Sequence, residues 1–178
     1  MPFQEAKSSH HNIDDFAREK FYELTKKHID ALNPKFCNKV VITRDQSEKI
    51  INILQNKLST EKVFGHFPRW CKQTFTPRLI GNHQLLCDFK EVKPVLLYQD
   101  MYDIYQTSHH QTAHCGRDKC LGYIAVNYSW TNRSLLQIFI AQCSACQTRR
   151  TVYLYYINIT KSFLQTPQTL ARIGYNTY

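Results

Sequence analysis

Residues 109–114 read HHQTAH and residues 143–146 read CSAC, with 28 residues between His114 and Cys143. Imidazole nitrogens and thiolate sulfurs are the donors zinc prefers. A structural zinc site takes four of them in a tetrahedron, delivered as two close pairs separated by a longer piece of chain. The close pairs here are His109 or His110 with His114, and Cys143 with Cys146. Each pair closes a short loop at little entropic cost, and the piece between them is what the metal would pin. Thiolates with imidazoles suit zinc above magnesium, calcium or manganese. Four such ligands close the coordination sphere, whereas a catalytic zinc keeps one position open. A hydrolase would also need a general base, and Glu91 is the last glutamate of the chain. A thioredoxin-like redox pair is disfavoured as well, because CSAC follows a predicted helix C-terminus and thiols are activated at helix N-termini.

Those donors need helices to carry them. Apolar residues recur at helical spacing from Ile13 to Leu32, stopped by Asn33-Pro34, and a capping-box pattern at Thr43-Arg-Asp-Gln46 opens a second helix through Ile50, Ile51, Leu54 and Leu58. The stretch FGHFPRWCKQTF predicts a short helical face of Phe64, Phe67, Trp70, Cys71 and Phe75, with Pro68 in its first turn. Two apolar runs around Gly81-Asn82 predict a β-hairpin. Helical spacing returns at Tyr98, Met101, Ile104 and Tyr105 and ends at the histidines; two further helices are expected over 117–126 and 132–142, the second ending on Cys143. In an unbroken helix His110 and His114, four apart, would share a face. The expected fold is therefore mainly α, with a boundary near residue 90. Residues 1–12 form a disordered tail, 13–90 a helical region ending in the hairpin, and 91–150 a helical unit bracketed by His and Cys. Residues 151–178 alternate weakly and then lose pattern, so they are left as a tail in which Tyr153, Tyr155 and Tyr156 are expected to be packed rather than free to stack on bases.

The chain has 178 residues, 43% of them hydrophobic, with five Gly and six Pro, which suits one folded domain or two small ones. No apolar run reaches 18 residues and the N-terminal stretch has no hydrophobic signal region, so neither a membrane span nor secretion is expected. An intracellular, reducing location makes the seven cysteines core residues or ligands rather than a disulfide framework, and makes the sequons at Asn127, Asn132 and Asn158 chance matches. The net charge of +9 is uneven: through Asp118 the chain carries 17 Lys/Arg against 14 Asp/Glu, and from Lys119 onward six Lys/Arg and no acid. Such a segment suits a polyanionic partner.

The stretch HHQTAHCGRDKC, followed by Tyr128-Ser-Trp130 and by Cys143 to Gln147, resembles the H2C2 zinc-binding domain of retroviral and Ty3/gypsy-type integrases. The GRDK stretch, residues 116–119, is most similar to transposon-derived copies of such integrases in vertebrate proteins that carry KRAB-A or SCAN domains. The resemblance covers about residues 95–150. It implies that the 91–150 unit is a small zinc-pinned domain with Zn2+ held by His109, His114, Cys143 and Cys146. The register on His114-x-Gly116 selects His109 over His110, which requires the helix to end near His109 and the chain to turn back. It further implies a nuclear protein of transposable-element descent that oligomerises and assists DNA binding.

The integrase reaction is not implied, because its separate core holds metal ions with three carboxylates and no acidic residue follows Asp118. The expected protein is thus no enzyme. It binds nucleic acid, DNA rather than RNA, through Lys119, Arg133, Gln147, Arg149 and Arg150, and takes neither a membrane nor a small-molecule substrate. The competing expectation is a protein–protein or oligomerisation module in which zinc is structural and the basic surface incidental.

Overall fold

The computed structural model describes residues 5–33, 40–55 and 66–165. Among them are seven helices and one hairpin. We label them α1 (Glu5–Asp30), α2 (Arg44–Leu54), α3 (Phe67–Thr74), β1 (Phe75–Ile80), β2 (His83–Asp88), α4 (Met101–Gln111), α5 (Arg117–Ile124), α6 (Arg133–Gln142) and α7 (Ser144–Gln165), with a 3-10 turn over Tyr98–Asp100 before α4. The protein is mainly helical with one short two-stranded antiparallel sheet, as the periodicity predicts.

Local chemistry explains most boundaries. Thr43 caps α2 through its side chain, which accepts from the Gln46 N–H at 3.2 Å, while the Gln46 side chain accepts from the Thr43 N–H at 3.0 Å. This closes the capping box reciprocally. Pro68 sits in the first turn of α3, where its missing N–H costs nothing. Gly81, at φ +60°, takes the first position of the two-residue turn between β1 and β2, as a II′ hairpin requires. Asn132 caps α6 by accepting from the Leu135 N–H at 3.0 Å. Phe64 and Leu58, expected on helical faces, lie outside the described residues.

Two expectations about the ends are corrected. Helix α1 begins at Glu5, so residues 5–12 are helical rather than a disordered tail. Those residues contain no Gly or Pro to stop a helix propagating from the amphipathic part. Residues 151–165 are helical too, as the greater part of α7. The weak alternation of Val152, Leu154 and Tyr156 is overridden because no Gly or Pro interrupts residues 144–165, and the threonine hydroxyls are absorbed by back-bonding to carbonyls four residues earlier.

The chain divides into two compact units at Cys143/Ser144, not near residue 90. The first unit contains two cores. One gathers Phe21, Met101, Tyr102, Tyr105, Cys120, Ile124, Leu135, Leu136 and Phe139 from α1, α4, α5 and α6, with Leu96 from the extended segment before α4. The other gathers Ile50, Ile53, Cys71, Phe75 and Leu86 from α2, α3 and the hairpin, with Ile42 and Val95 from extended segments and Trp70 and Trp130 packed against it. Two extended segments run along the seam and alternate sides, as extended backbone must. Val41 and Leu96 enter the first core while Ile42 and Val95 enter the second. Backbone hydrogen bonds sew this seam: Val95 N–H to Leu86 O at 2.9 Å, Leu96 N–H to Ser129 O at 3.0 Å and Tyr98 N–H to Ile42 O at 2.9 Å. A boundary at residue 90 fails because residues on both sides of it fill the same core.

Trp130 is the key piece of the second core. Its ring lies 4.9 Å from Phe75 and 6.0 Å from Trp70, and its indole N–H donates to Asp88 Oδ2 at 3.0 Å. It holds a left-handed backbone, φ +63°, which is costly for a bulky residue and persists only where packing and hydrogen bonds over-determine it. Asp88 is anchored in turn by the backbone N–H groups of Lys90 and Glu91 at 2.8 and 3.0 Å. Burial alone would push this carboxyl up. The hydrogen bonds from Glu91, Trp130 and Lys90, with the Lys90 charge, outweigh it and hold Asp88 below the usual carboxylate range.

Candidate metal centre

Helix α4 delivers the histidines. Its apolar face enters the first core through Met101, Tyr102 and Tyr105, and one further turn brings in His109, which is 1% exposed and packs edge-on against Phe139 at 6.0 Å. The next residue, His110, is exposed, which separates the two candidates. The helix runs on to Gln111 rather than ending at His109, and the reversal then takes three residues. The Ala113 N–H reaches back to the His110 carbonyl at 2.9 Å and the His114 N–H to the His109 carbonyl at 2.7 Å. These are the two bonds of a Schellman cap, whose left-handed residue is here Ala113 at φ +52° instead of the usual glycine. His114 is itself left-handed, at φ +57°. The cap turns a five-residue separation into a ring-centroid distance of 4.7 Å between His109 and His114.

The cysteines arrive from α6. Leu135, Leu136 and Phe139 seat that helix in the first core, and its C-cap is Cys143. The Cys143 sulfur lies 3.3 Å from His114 Nδ1. Three residues on, Cys146 stands in the first turn of α7. One ligand atom from each of His109, His114, Cys143 and Cys146 falls in a group whose members all lie within 4.8 Å of one another. His109 is buried and the other three are half-buried. Such a group can hold a metal ion. A tetrahedral centre with bonds of about 2.0–2.3 Å sets its ligand atoms about 3.3–3.8 Å apart. The Cys143–His114 distance already matches that spacing, and two imidazoles with two thiols fit a zinc-like ion by donor type. Two further buried cysteines differ: burial pushes Cys71, in the second core, up to about 11, and Cys87 in the same direction.

The basic residues fall into two places. In the first unit Lys119 is exposed on α5 and Arg133 is exposed at the start of α6. Asp118, beside Lys119, is held below the usual carboxylate range first by its hydrogen bond from Arg117 and then by the charges of Arg117 and Arg133, so this patch contains an acid. In the second unit Gln147, Arg149 and Arg150 are all exposed on α7. None of Lys119, Arg133, Arg149 and Arg150 forms an ion pair among the described residues.

Three features were not anticipated from the sequence. Tyr153, Tyr155 and Tyr156, expected to be packed, are 64–65% exposed along α7, together with Val152 and Leu154. Cys120 is fully buried beside His109. Asp88 anchors Trp130 across the seam. Nothing local in the sequence pairs residues 109 and 120, or 88 and 130. No helix among the described residues is long and apolar enough to cross a membrane. Comparison with known proteins gave no matching family model, no matching curated protein and no matching solved structure.

Proposed function

We propose that this chain is a non-catalytic zinc protein of transposable-element descent that binds nucleic acid, DNA in preference to RNA, through basic side chains beside its metal centre in the nucleus. The observation that carries the reading is the convergence of His109, His114, Cys143 and Cys146, the four residues its integrase-like motif singles out. In this reading the zinc has no chemical step to perform. Four protein ligands close its coordination sphere, and its work is to fix the end of α4 against the end of α6.

Support for a polyanionic partner comes from charge. Six cations and no acidic side chain occur from Lys119 onward, and Arg149 and Arg150 follow Cys146 by three and four residues with no ion pair among the described residues. Arginines beside a metal-pinned turn can contact phosphates without reading bases, so binding should be steep in salt and weak in sequence preference. Electrophoretic mobility-shift titration of the zinc-loaded chain with duplex DNA of unrelated sequences, repeated across ionic strength, tests this. Affinity that ignores salt, or an Arg149→Ala/Arg150→Ala variant that binds as tightly as the parent, would contradict it.

A second reading is favoured by a different observation, the exposure of Val152, Tyr153, Leu154, Tyr155 and Tyr156 on α7. Large apolar surfaces of this kind mark contacts with other proteins or with further copies of the chain. Sedimentation separates the two readings: a zinc-bound monomer at micromolar concentration that still shifts DNA supports the first alone.

A further inference from the structure

The histidine that enters the first core has a neighbour that the ligand set does not use. Cys120, on α5, is fully buried, and its sulfur lies 3.6 Å from His109 Nδ1. The same sulfur is 3.5 Å from the Cys115 carbonyl oxygen and 3.3 Å from the Thr112 hydroxyl oxygen. That hydroxyl is in turn placed to donate to the Ser108 carbonyl at 2.8 Å. Two oxygens thus lie within reach of the thiol proton, and with the proton directed to either of them the sulfur can accept from the imidazole. A ring nitrogen that faces such an acceptor carries the proton, and the other nitrogen is left free to bind a metal.

We propose that Cys120 is a positioning residue for the metal centre: its buried thiol accepts the Nδ1–H of His109 and so presents His109 to the metal through Nε2. His114 is placed differently, since its Nδ1 lies 3.3 Å from the sulfur of Cys143, itself a member of the ligand group. The two imidazoles therefore enter the centre by different nitrogens, Nε2 from His109 and Nδ1 from His114. The difference follows from where they are rooted. His109 projects from the body of α4 into the core, with α5 behind it. His114 stands on the left-handed turn that follows the helix. Outer partners of this kind fix the tautomer and orientation of a ligating histidine, and their loss typically weakens metal binding 10- to 100-fold.

This inference rests on reading His109, His114, Cys143 and Cys146 as metal ligands, and the experiment keeps the two apart. The first arm uses the unaltered chain loaded with one equivalent of zinc. Long-range proton–nitrogen spectra assign the protonated nitrogen of each histidine; a protonated Nδ1 on His109 and a protonated Nε2 on His114 are expected. Zinc bound to Nδ1 of His109 overturns the proposal while leaving the metal centre intact, and a chain that takes up no zinc overturns both. The second arm is a chelator-competition titration of Cys120→Ser and Cys120→Val. Serine keeps an acceptor for the imidazole and should hold zinc within a few-fold of the parent; valine fills the space without one and should bind at least about tenfold more weakly. Equal affinity in the valine variant overturns the proposal. Because the nitrogen assignment needs no substitution, it decides the matter even where a variant fails to fold.

Discussion

The tryptophan-lined core at the hairpin and the histidine–cysteine end of α4 are held in opposite ways. Around the hairpin the volume is filled. Phe75 is 1% exposed, Trp70 meets it edge-on and Trp130 at a tilt, and the one carboxylate involved, Asp88, accepts three hydrogen bonds. At the end of α4 the chain instead gathers polar donors: a buried imidazole, a second imidazole on a strained turn and two half-buried sulfurs. Burial of apolar area stabilises the first region with nothing added. A metal ion held by the second region would stabilise it by binding the folded arrangement and not the unfolded chain. On the proposed reading, one polypeptide carries an end held by packing alone and an end that a metal ion would complete, joined by the seam of residues 93–98.

Metal removal should separate the two ends most widely. Structural zinc contributes on the order of 10 kcal/mol in small metal-folded domains, so chelation or His114→Ala should destabilise the α4 end by several kcal/mol. Hydrogen exchange followed by mass spectrometry should show protection lost over 109–124 and retained over 75–97. Loss of protection over both stretches together would mean that the ends are not independent. Next in size, Trp130→Ala empties part of the hairpin core and should cost about 3–5 kcal/mol in urea unfolding, with metal stoichiometry unchanged.

Acid should act on both ends in turn. Metal ligands must be deprotonated to bind, so a bound ion should leave first as pH falls. Asp88 has a folded pKa below its unfolded value of about 3.9. Its contribution is therefore fully present above that value and is lost only as pH falls through the lower, folded one. Tryptophan emission should follow this second step, and Asp88→Asn should remove its pH dependence. The smallest effect is expected at Ala113. A left-handed non-glycine residue costs about 1–2 kcal/mol, partly offset by the freedom glycine adds to the unfolded chain, so Ala113→Gly should stabilise by about 0.5–1 kcal/mol in thermal melts of the metal-loaded protein.

How much of this was legible in the sequence depends on whether the signal was local. The capping box at Thr43, the hairpin around Gly81-Asn82 and the helix ending on Cys143 are each written in a few consecutive residues, and each is observed. The four clustered residues, His109, His114, Cys143 and Cys146, could be singled out because metal sites demand rare residue types at restricted spacing. Helix α7 was missed because Val152, Leu154 and Tyr156 imitate a strand while the helical evidence was merely the absence of breakers. The unit boundary was misplaced because the alternation of Val95 and Leu96 between two cores is a property of packing, and a sequence read element by element does not contain it. The roles of Asp88 and Cys120 were hidden for the same reason, since each acts on a residue far along the chain or on another helix. The turn at Ala113 was legible only as a requirement: the ligand register demanded a reversal before His114, and no glycine announced it.

The central claim is that His109, His114, Cys143 and Cys146 form one metal centre, and metal analysis of the intact chain by native mass spectrometry tests it most directly. One zinc ion per chain is predicted, with cobalt taking its place to give the absorption of a tetrahedral site carrying two thiolates. Both should be lost in Cys143→Ser and in His114→Ala but kept in His110→Ala. A chain that purifies without zinc and takes none up, or one whose zinc survives Cys143→Ser and His114→Ala alike, would contradict it.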